Sequence, residues 1–230
     1  MPLLDDSALQ VSSVVANCDM NRERRLSGSN GYERDLGLKL IPFLMDVPTR
    51  AERRWVDLCC GTGRALIDAA AELRKSPQAD VVRIEGVDLI GDFDPNPWPQ
   101  MLALTTSSLE TWQPVGPYRL ATCVHGLHYI GDKLRVITKA VRRLAPKGLF
   151  IANLDLANFR FADGKPAGRA IAARLRRHGM KYDTRRRLIS CLGPRDADLG
   201  ARYLGADDAA GPNYTGQSAV DSYYDFDDSL

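Results

Sequence analysis

Three stretches of this chain gather side chains able to do chemistry. In Trp55-Val-Asp-Leu-Cys-Cys-Gly-Thr-Gly-Arg-Ala-Leu66 one carboxylate, Asp57, precedes two glycines one residue apart, Gly61 and Gly63. In Val81–Asp88 an apolar run ends in a second carboxylate, Asp88. In Leu120–Tyr129 two of the three histidines, His125 and His128, stand three residues apart beside Tyr129. Glycines let the backbone turn tightly and let a ligand lie against it. The helix that follows them presents unpaired N–H groups to that ligand. A carboxylate at a strand end can accept both hydroxyls of a ribose, and an aspartate there can equally cap a helix. A histidine can take a proton from a hydroxyl, amine or imidazole.

The glycine spacing distinguishes between nucleotides. A dinucleotide fingerprint wants a third glycine three residues after the second, and Leu66 occupies that position. An acid at the end of a strand followed by Cys-Cys-Gly-Thr-Gly resembles the first motif of the class I S-adenosylmethionine (SAM)-dependent methyltransferases, with Cys59 where a glycine is commoner. The resemblance covers Arg54 to about Leu204 and implies SAM as cofactor. It also implies an enzyme that moves a methyl group to an O or N nucleophile of a small molecule or modified peptide, in natural-product tailoring or other secondary metabolism. RNA or protein methylation, and non-catalytic SAM binding by a regulatory protein, are the alternatives.

Carried onto this chain, the family's cofactor contacts fall on Asp57, Cys59, Gly61 and Gly63, and on Asp88 with Leu89 at the ribose. Ser108 with Leu109 falls beside the adenine, and His125 beside the methionine arm. His128 is the candidate base, with Tyr129 next to it and Tyr32 reaching in from an N-terminal cover. The histidine pair needs more ligands to hold a metal, and no neighbouring acidic cluster supplies them.

These residues need an α/β scaffold to position them. The expected fold is a Rossmann-like, mostly parallel seven-stranded sheet with helices on both faces and an antiparallel last strand. Expected helices are Ser7–Met20, Tyr32–Leu44, Arg64–Leu73, Lys133–Leu144 and Ala167–His178. Asp92–Pro99 is too rich in proline for a long helix. Thr184–Leu192 and Ala201–Leu204 read as the closing antiparallel pair. The division expected is a helical cover over 1–50, a SAM-binding domain over 51–206 and an acidic tail over 207–230.

Composition narrows the remaining classes. At 230 residues, 44% hydrophobic and 26% charged, the chain has the make-up of an ordinary globular domain. It contains no run apolar enough to span a bilayer and no signal-peptide pattern at its start. Five cysteines, without metal spacing, suit a reduced cytoplasm. Arg174–Arg187 holds seven Lys or Arg against one Asp, but with little aromatic support it reads as a solvated face and argues against a nucleic-acid partner. From Asp207 onward the chain carries six acids and no base, and could fold back on the basic segment or over the substrate site. The sequence leaves the oligomeric state open.

Overall fold

The computed structural model describes residues 3–16, 23–47, 51–95 and 97–227. Its centre is a seven-stranded sheet. The apolar runs become β1 (Arg53–Leu58), β2 (Val82–Asp88), β3 (Leu102–Thr106), β4 (Tyr118–Cys123) and β5 (Leu144–Asn153). β6 (Phe159–Phe161) leaves the sheet, and β7 (Lys181–Asp183) and β8 (Leu188–Leu192) return to it. The strand order is β3-β2-β1-β4-β5-β8-β7. β1 to β5 run parallel, and β8 lies antiparallel to β5. β1 and β4 sit mid-sheet and are buried along almost their whole length, which is why their sequences do not alternate.

Helices α1 (Asp6–Gln10), α2 (Tyr32–Leu36), α3 (Leu40–Met45), α4 (Arg64–Leu73), α5 (Lys133–Arg142) and α6 (Gly168–Arg177) flank the sheet. α2, α3 and α4 share a core on one face with Trp55, Ile84 and Leu120. α5 and α6 pack the other face with Val56, Ala121 and Phe150. The buried side of α4 is Ala65, Leu66, Ala69, Ala70 and Leu73, the one-sided spacing of an amphipathic helix. α5 is capped by the Asp132 side chain, which accepts from Arg135 N, and ends in Lys139 and Arg142, cations that complement its C-terminal dipole. Among the described residues, no helix is long and apolar enough to cross a membrane, and no group of three His, Cys, Asp or Glu could hold a metal ion.

Four expectations change. The helix over Tyr32–Leu44 is two helices, broken where Gly37 turns left-handed (φ 61) at the C-cap of α2. The first helix ends at Gln10, with turns after it; residues 17–20 of its expected span lie outside the described ones. The closing antiparallel strand β8 pairs with β7 rather than with Ala201–Leu204. That segment lengthens into β9 (Ala201–Asp207) of a second sheet, in the order β6-β10-β9. β10 (Asp221–Phe226) arises within the expected acidic tail, where Val220, Asp221, Ser222 and Tyr224 are all buried.

A polar chain runs through the centre of the sheet. Asp57 is fully buried and accepts from Thr122 Oγ1 at 2.5 Å and Tyr32 Oη at 2.7 Å. Thr122 in turn accepts from Trp55 Nε1 at 2.9 Å. Thr122→Val keeps the shape of the side chain but unpairs the Trp55 N–H and one Asp57 oxygen. Each such loss costs about 1–3 kcal/mol, to be read from urea unfolding as a lower midpoint at constant slope. A loss below about 0.5 kcal/mol, the scatter of neutral substitutions, would show that this chain contributes nothing to stability.

Candidate active site

The carboxyl ends of the parallel strands form a continuous depression, where ligands lie in open α/β sheets. At β1 the chain turns through Cys59 (φ 58), Gly61 (φ 60) and Gly63 (φ 77) into α4. At β2 Asp88 points back into that turn. Its Oδ2 accepts from Gly61 N at 2.8 Å and its Oδ1 from Ile90 N at 3.0 Å. Asp88 thus fixes the glycine turn while its carboxylate borders two adjoining cavities. The first, beyond β2 and β3, has Asp88, Leu89, Ile90, Ser108 and Leu109 in its wall. The second, beyond β1 and β4, is lined by Tyr32, Cys59, Gly61, His125 and Gly126, among others. Cys59 and Tyr129 border both, so the two cavities form one cleft.

Two gates close it. Gln10 of α1 donates to Ser108 Oγ at 2.8 Å across the first cavity. Tyr129 Oη donates to Gln217 Oε1 at 3.1 Å across the second. Gly126 is required by crowding: a Cβ there would lie 2.3 Å from Cβ of Cys59.

His125 lies between this cleft and a third cavity, whose wall includes Arg24, Arg34, Asp35, Asn153, Arg186 and Tyr214. Its backbone is left-handed (φ 59), a costly conformation for a non-glycine residue, and it is held there by its own N–H donating to Asn153 Oδ1 at 3.2 Å. The ring Nε2 faces Asp35 Oδ2 at 3.3 Å, and Nδ1 is buried without a hydrogen-bond partner. Burial works to raise the pKa of Asp35, but the His125 hydrogen bond and the charges of Arg24 and Arg34 outweigh it and bring the pKa below the usual carboxylate value. An ionised Asp35 only accepts, so the imidazole proton sits on Nε2 and leaves Nδ1 the acceptor nitrogen.

The expected site residues separate accordingly. The structure brings Cys59, Gly61, Asp88, Leu89, Ser108, Leu109, Tyr129 and His125 to the cleft, with Tyr32 in its floor. Asp57 lies beneath it, spent on Thr122 and Tyr32. Gly63 faces Leu104, whose side chain a Cβ would meet at 2.6 Å, so its role is to pack α4 on the sheet. Tyr32 has its hydroxyl committed to Asp57, and burial raises its pKa well above 10. His128 is the main correction. It is 1% exposed, is absent from the walls of all three cavities, and packs against Tyr214. Burial above all, then the neighbouring His125, Lys133 and Arg187, drives its pKa down to about 3, so it is the neutral imidazole near neutrality and accepts a second proton poorly. Sequence reasoning missed Arg24, Asp35, Asn153, Tyr214 and Gln217, which stand far from any motif. The left-handed backbone at Cys59 and His125 is the feature that marks both positions, and a sequence does not display it.

With this geometry in place, comparison with known proteins is informative. A family model described as a methyltransferase domain matches residues 30–199. The chain belongs to that methyltransferase family. Its mostly parallel sheet with the antiparallel β8 is the Rossmann-like fold expected of that family, and SAM is its cofactor. A search of curated proteins found no match. Similar solved structures include SAM-bound CalS10, an amino pentose methyltransferase from Micromonospora echinaspora, with 21% identity over 44% of this chain and 42% of that one and a TM-score of 0.32. The plantazolicin methyltransferase BpumL shows 10% identity over 64% and 50%, with a TM-score of 0.40. Phosphoethanolamine N-methyltransferase 2 of Haemonchus contortus shows 18% over 54% and 28%, with a TM-score of 0.39. The chain aligns with half or less of the length of each of these three, and such partial likenesses carry no argument about the acceptor.

Two buried groups give the methyltransferase opposing pH dependences. Asp57 is raised from 3.8 to about 7, by burial against the Thr122 and Tyr32 hydrogen bonds and with Asp88 adding to the rise. The unfolded chain therefore releases this proton first, and the contribution of Asp57 to stability is lost as pH rises from 3.8 to about 7. His128, lowered from 6.5 to about 3, contributes stability that is present above 6.5 and lost as pH falls toward 3. Melting temperatures between about pH 4 and 7 separate the two. Asp57→Asn is expected to climb more steeply with pH than wild type, and His128→Gln less steeply. Curves parallel to wild type would reject these ionisation states.

Proposed function

We propose that the chain transfers a methyl group from SAM to an oxygen or nitrogen of a small molecule or modified peptide. The observation that carries this reading is the junction at His125. An imidazole held in a strained backbone conformation, oriented by a carboxylate, forms a wall of both the cofactor cleft and the neighbouring cavity. Bound SAM supplies a methyl group made electrophilic by its sulfonium. The protein's own work is then to align the nucleophile and to remove a proton.

Asp88, at the end of β2 and bordering both cavities, would hold the ribose hydroxyls, and Gly61 and Gly126 would let the backbone come close. Leu89, Ile90 and Leu109 cover the adenine, with Ser108 and Gln10 at its polar edge. Tyr129 and Gln217 shut the methionine side against water. His125 is the group placed to take the acceptor's proton, and Asp35 would stabilise the imidazolium that results. α1, α2 and the loop carrying Tyr214 and Gln217 together would cover the transfer site, which makes that loop part of the enzyme's wall.

Calorimetry tests the cofactor half. SAM and its demethylated product are expected to bind, and NAD is not. Asp88→Ala is expected to weaken SAM by about 1–3 kcal/mol, the cost of unpairing buried hydrogen bonds. Unchanged affinity in that variant rejects the ribose assignment.

The catalytic half is read by transfer of a labelled methyl group from SAM into a panel of phenols, amines, carboxylates and short peptides. With the acceptor so found, His125→Ala is expected to lower turnover by on the order of 10²–10⁴, while SAM affinity changes far less. Asp35→Asn is expected to lose less, and His128→Gln only a few-fold. A larger loss at His128 than at His125 would return the base to His128.

A further inference from the structure

The cavity on the far side of His125 has a charge that the methyl-transfer reading does not use. Its wall contains the guanidinium groups of Arg24, Arg34 and Arg186 against one carboxylate, Asp35. That carboxylate is already engaged: its Oδ2 lies 2.5 Å from Arg24 Nη1 and 3.3 Å from His125 Nε2. Arg34 donates from Nη1 to the Ser29 carbonyl and has no carboxylate partner among the described residues. Arg186, in the turn between β7 and β8, likewise makes no ion pair among the described residues.

The position of Arg186 is built into the fold. Its guanidinium lies over Gly37, where a Cβ would fall 1.9 Å from Nη2, so a residue without a side chain seats this cation at the end of α2, three residues on from Arg34. A fourth arginine, Arg187, stacks on Tyr214 at 4.2 Å and pairs with Asp155, so it braces the aromatic wall. Two arginines without carboxylate ion pairs among the described residues, both in the wall of a recess beside a proposed base, suit a compact anion, since guanidinium forks match carboxylate and phosphate oxygens.

Resting on the methyltransferase reading above, we infer that the methyl acceptor carries an acid group, a carboxylate or a phosphate, which Arg34 and Arg186 hold while His125 faces the nucleophile. Arg24 completes the positive wall and keeps Asp35 ionised. The anion would sit away from the sulfonium side of the cleft, so it positions the acceptor and is not itself the methylated atom. The exposed arginines of the 174–187 segment thereby divide, with Arg186 turned to the acceptor and Arg187 to structure.

The test uses the full chain saturated with S-adenosylhomocysteine, titrated calorimetrically with inorganic phosphate, acetate and acetamide, the last a neutral match for acetate in shape. Phosphate or acetate is expected to bind and acetamide is not, and the better of the two anions identifies the acid group. In the double variant Arg34→Gln, Arg186→Gln, anion affinity is expected to fall about tenfold or more, the scale of a lost charge-assisted pair, with S-adenosylhomocysteine affinity unchanged. Neither anion binding, acetamide binding as well as acetate, or equal anion binding by wild type and double variant would each overturn the inference. A chain that fails to bind S-adenosylhomocysteine at all fails the methyltransferase reading instead, so the two failures are distinguishable. A short RNA that binds more tightly than either anion and is lost in the same variant would also overturn it, by making the recess part of a polyanion surface.

Discussion

A buried carboxylate must be satisfied from all sides, and the way Asp57 meets that constraint organises the active site. Its partners come from two elements distant in sequence. Thr122 lies on β4, and Tyr32 opens α2. The exit of β4 carries His125, and α2 carries Asp35 three residues after Tyr32, one helical turn along and on the same side. Pinning Tyr32 and Thr122 to one carboxylate therefore brings Asp35 and His125 within 3.3 Å of each other. Asp57 need not touch a ligand to matter. It fixes the helix and the strand whose next turns form the site.

The same logic explains the covers. Neither gate of the cleft belongs to the sheet, so each needs an anchor elsewhere. Lys133, fully buried at the start of α5, donates to the carbonyls of Ile130 and Val220 and to Ser222 Oγ. Three donors thus meet three acceptors, two of them on the C-terminal stretch that also carries Tyr214 and Gln217. Burial lowers the pKa of Lys133 to about 7, against the pull of Asp221, Asp132 and Asp155, so the anchor holds by hydrogen bonding as much as by charge. Arg160 and Asn158 both donate to Asp221, the residue that opens β10. Within the expected acidic tail, Asp221 and the Val220 carbonyl are thus tied down by donors from α5 and from the segment around β6.

How much was legible follows from the range of the interactions involved. The glycine turn, Asp88 and the apolar strands are local patterns, and the sheet they predict is the one observed. The N-terminal helix breaks at Gly37, and what else that glycine does was not visible in sequence: it leaves room for Arg186, some 150 residues away in the chain. The third cavity was invisible in the sequence because its walls come from α2, the exit of β4, the β7–β8 turn and the C-terminal loop, with no two of them adjacent in the chain. The basic run 174–187 was read as one solvated face. Arg174 instead lies over Phe226 at 4.5 Å and is 5% exposed, Arg187 is stacked, and only part of the run is free to meet solvent.

The two histidines show why position along a strand exit does not determine chemistry. They are three residues apart, with ring centroids separated by 5.8 Å, yet one faces an ionised carboxylate and two cavities while the other has aromatic neighbours and no hydrogen-bond partner for Nε2. A proton arriving on His128 would place a cation in apolar surroundings beside Lys133 and Arg187, and the structure disfavours that charge strongly. A proton arriving on His125 is met by Asp35, whose own charge Arg24 and Arg34 maintain. The arginines of the third cavity thus have two consequences that fit together: they keep the orienting carboxylate ionised, and they leave surplus positive charge where an acceptor's acid group would settle. Left-handed strain at His125 is then the local cost of turning one imidazole of the pair out of the core and into the seam between two cavities.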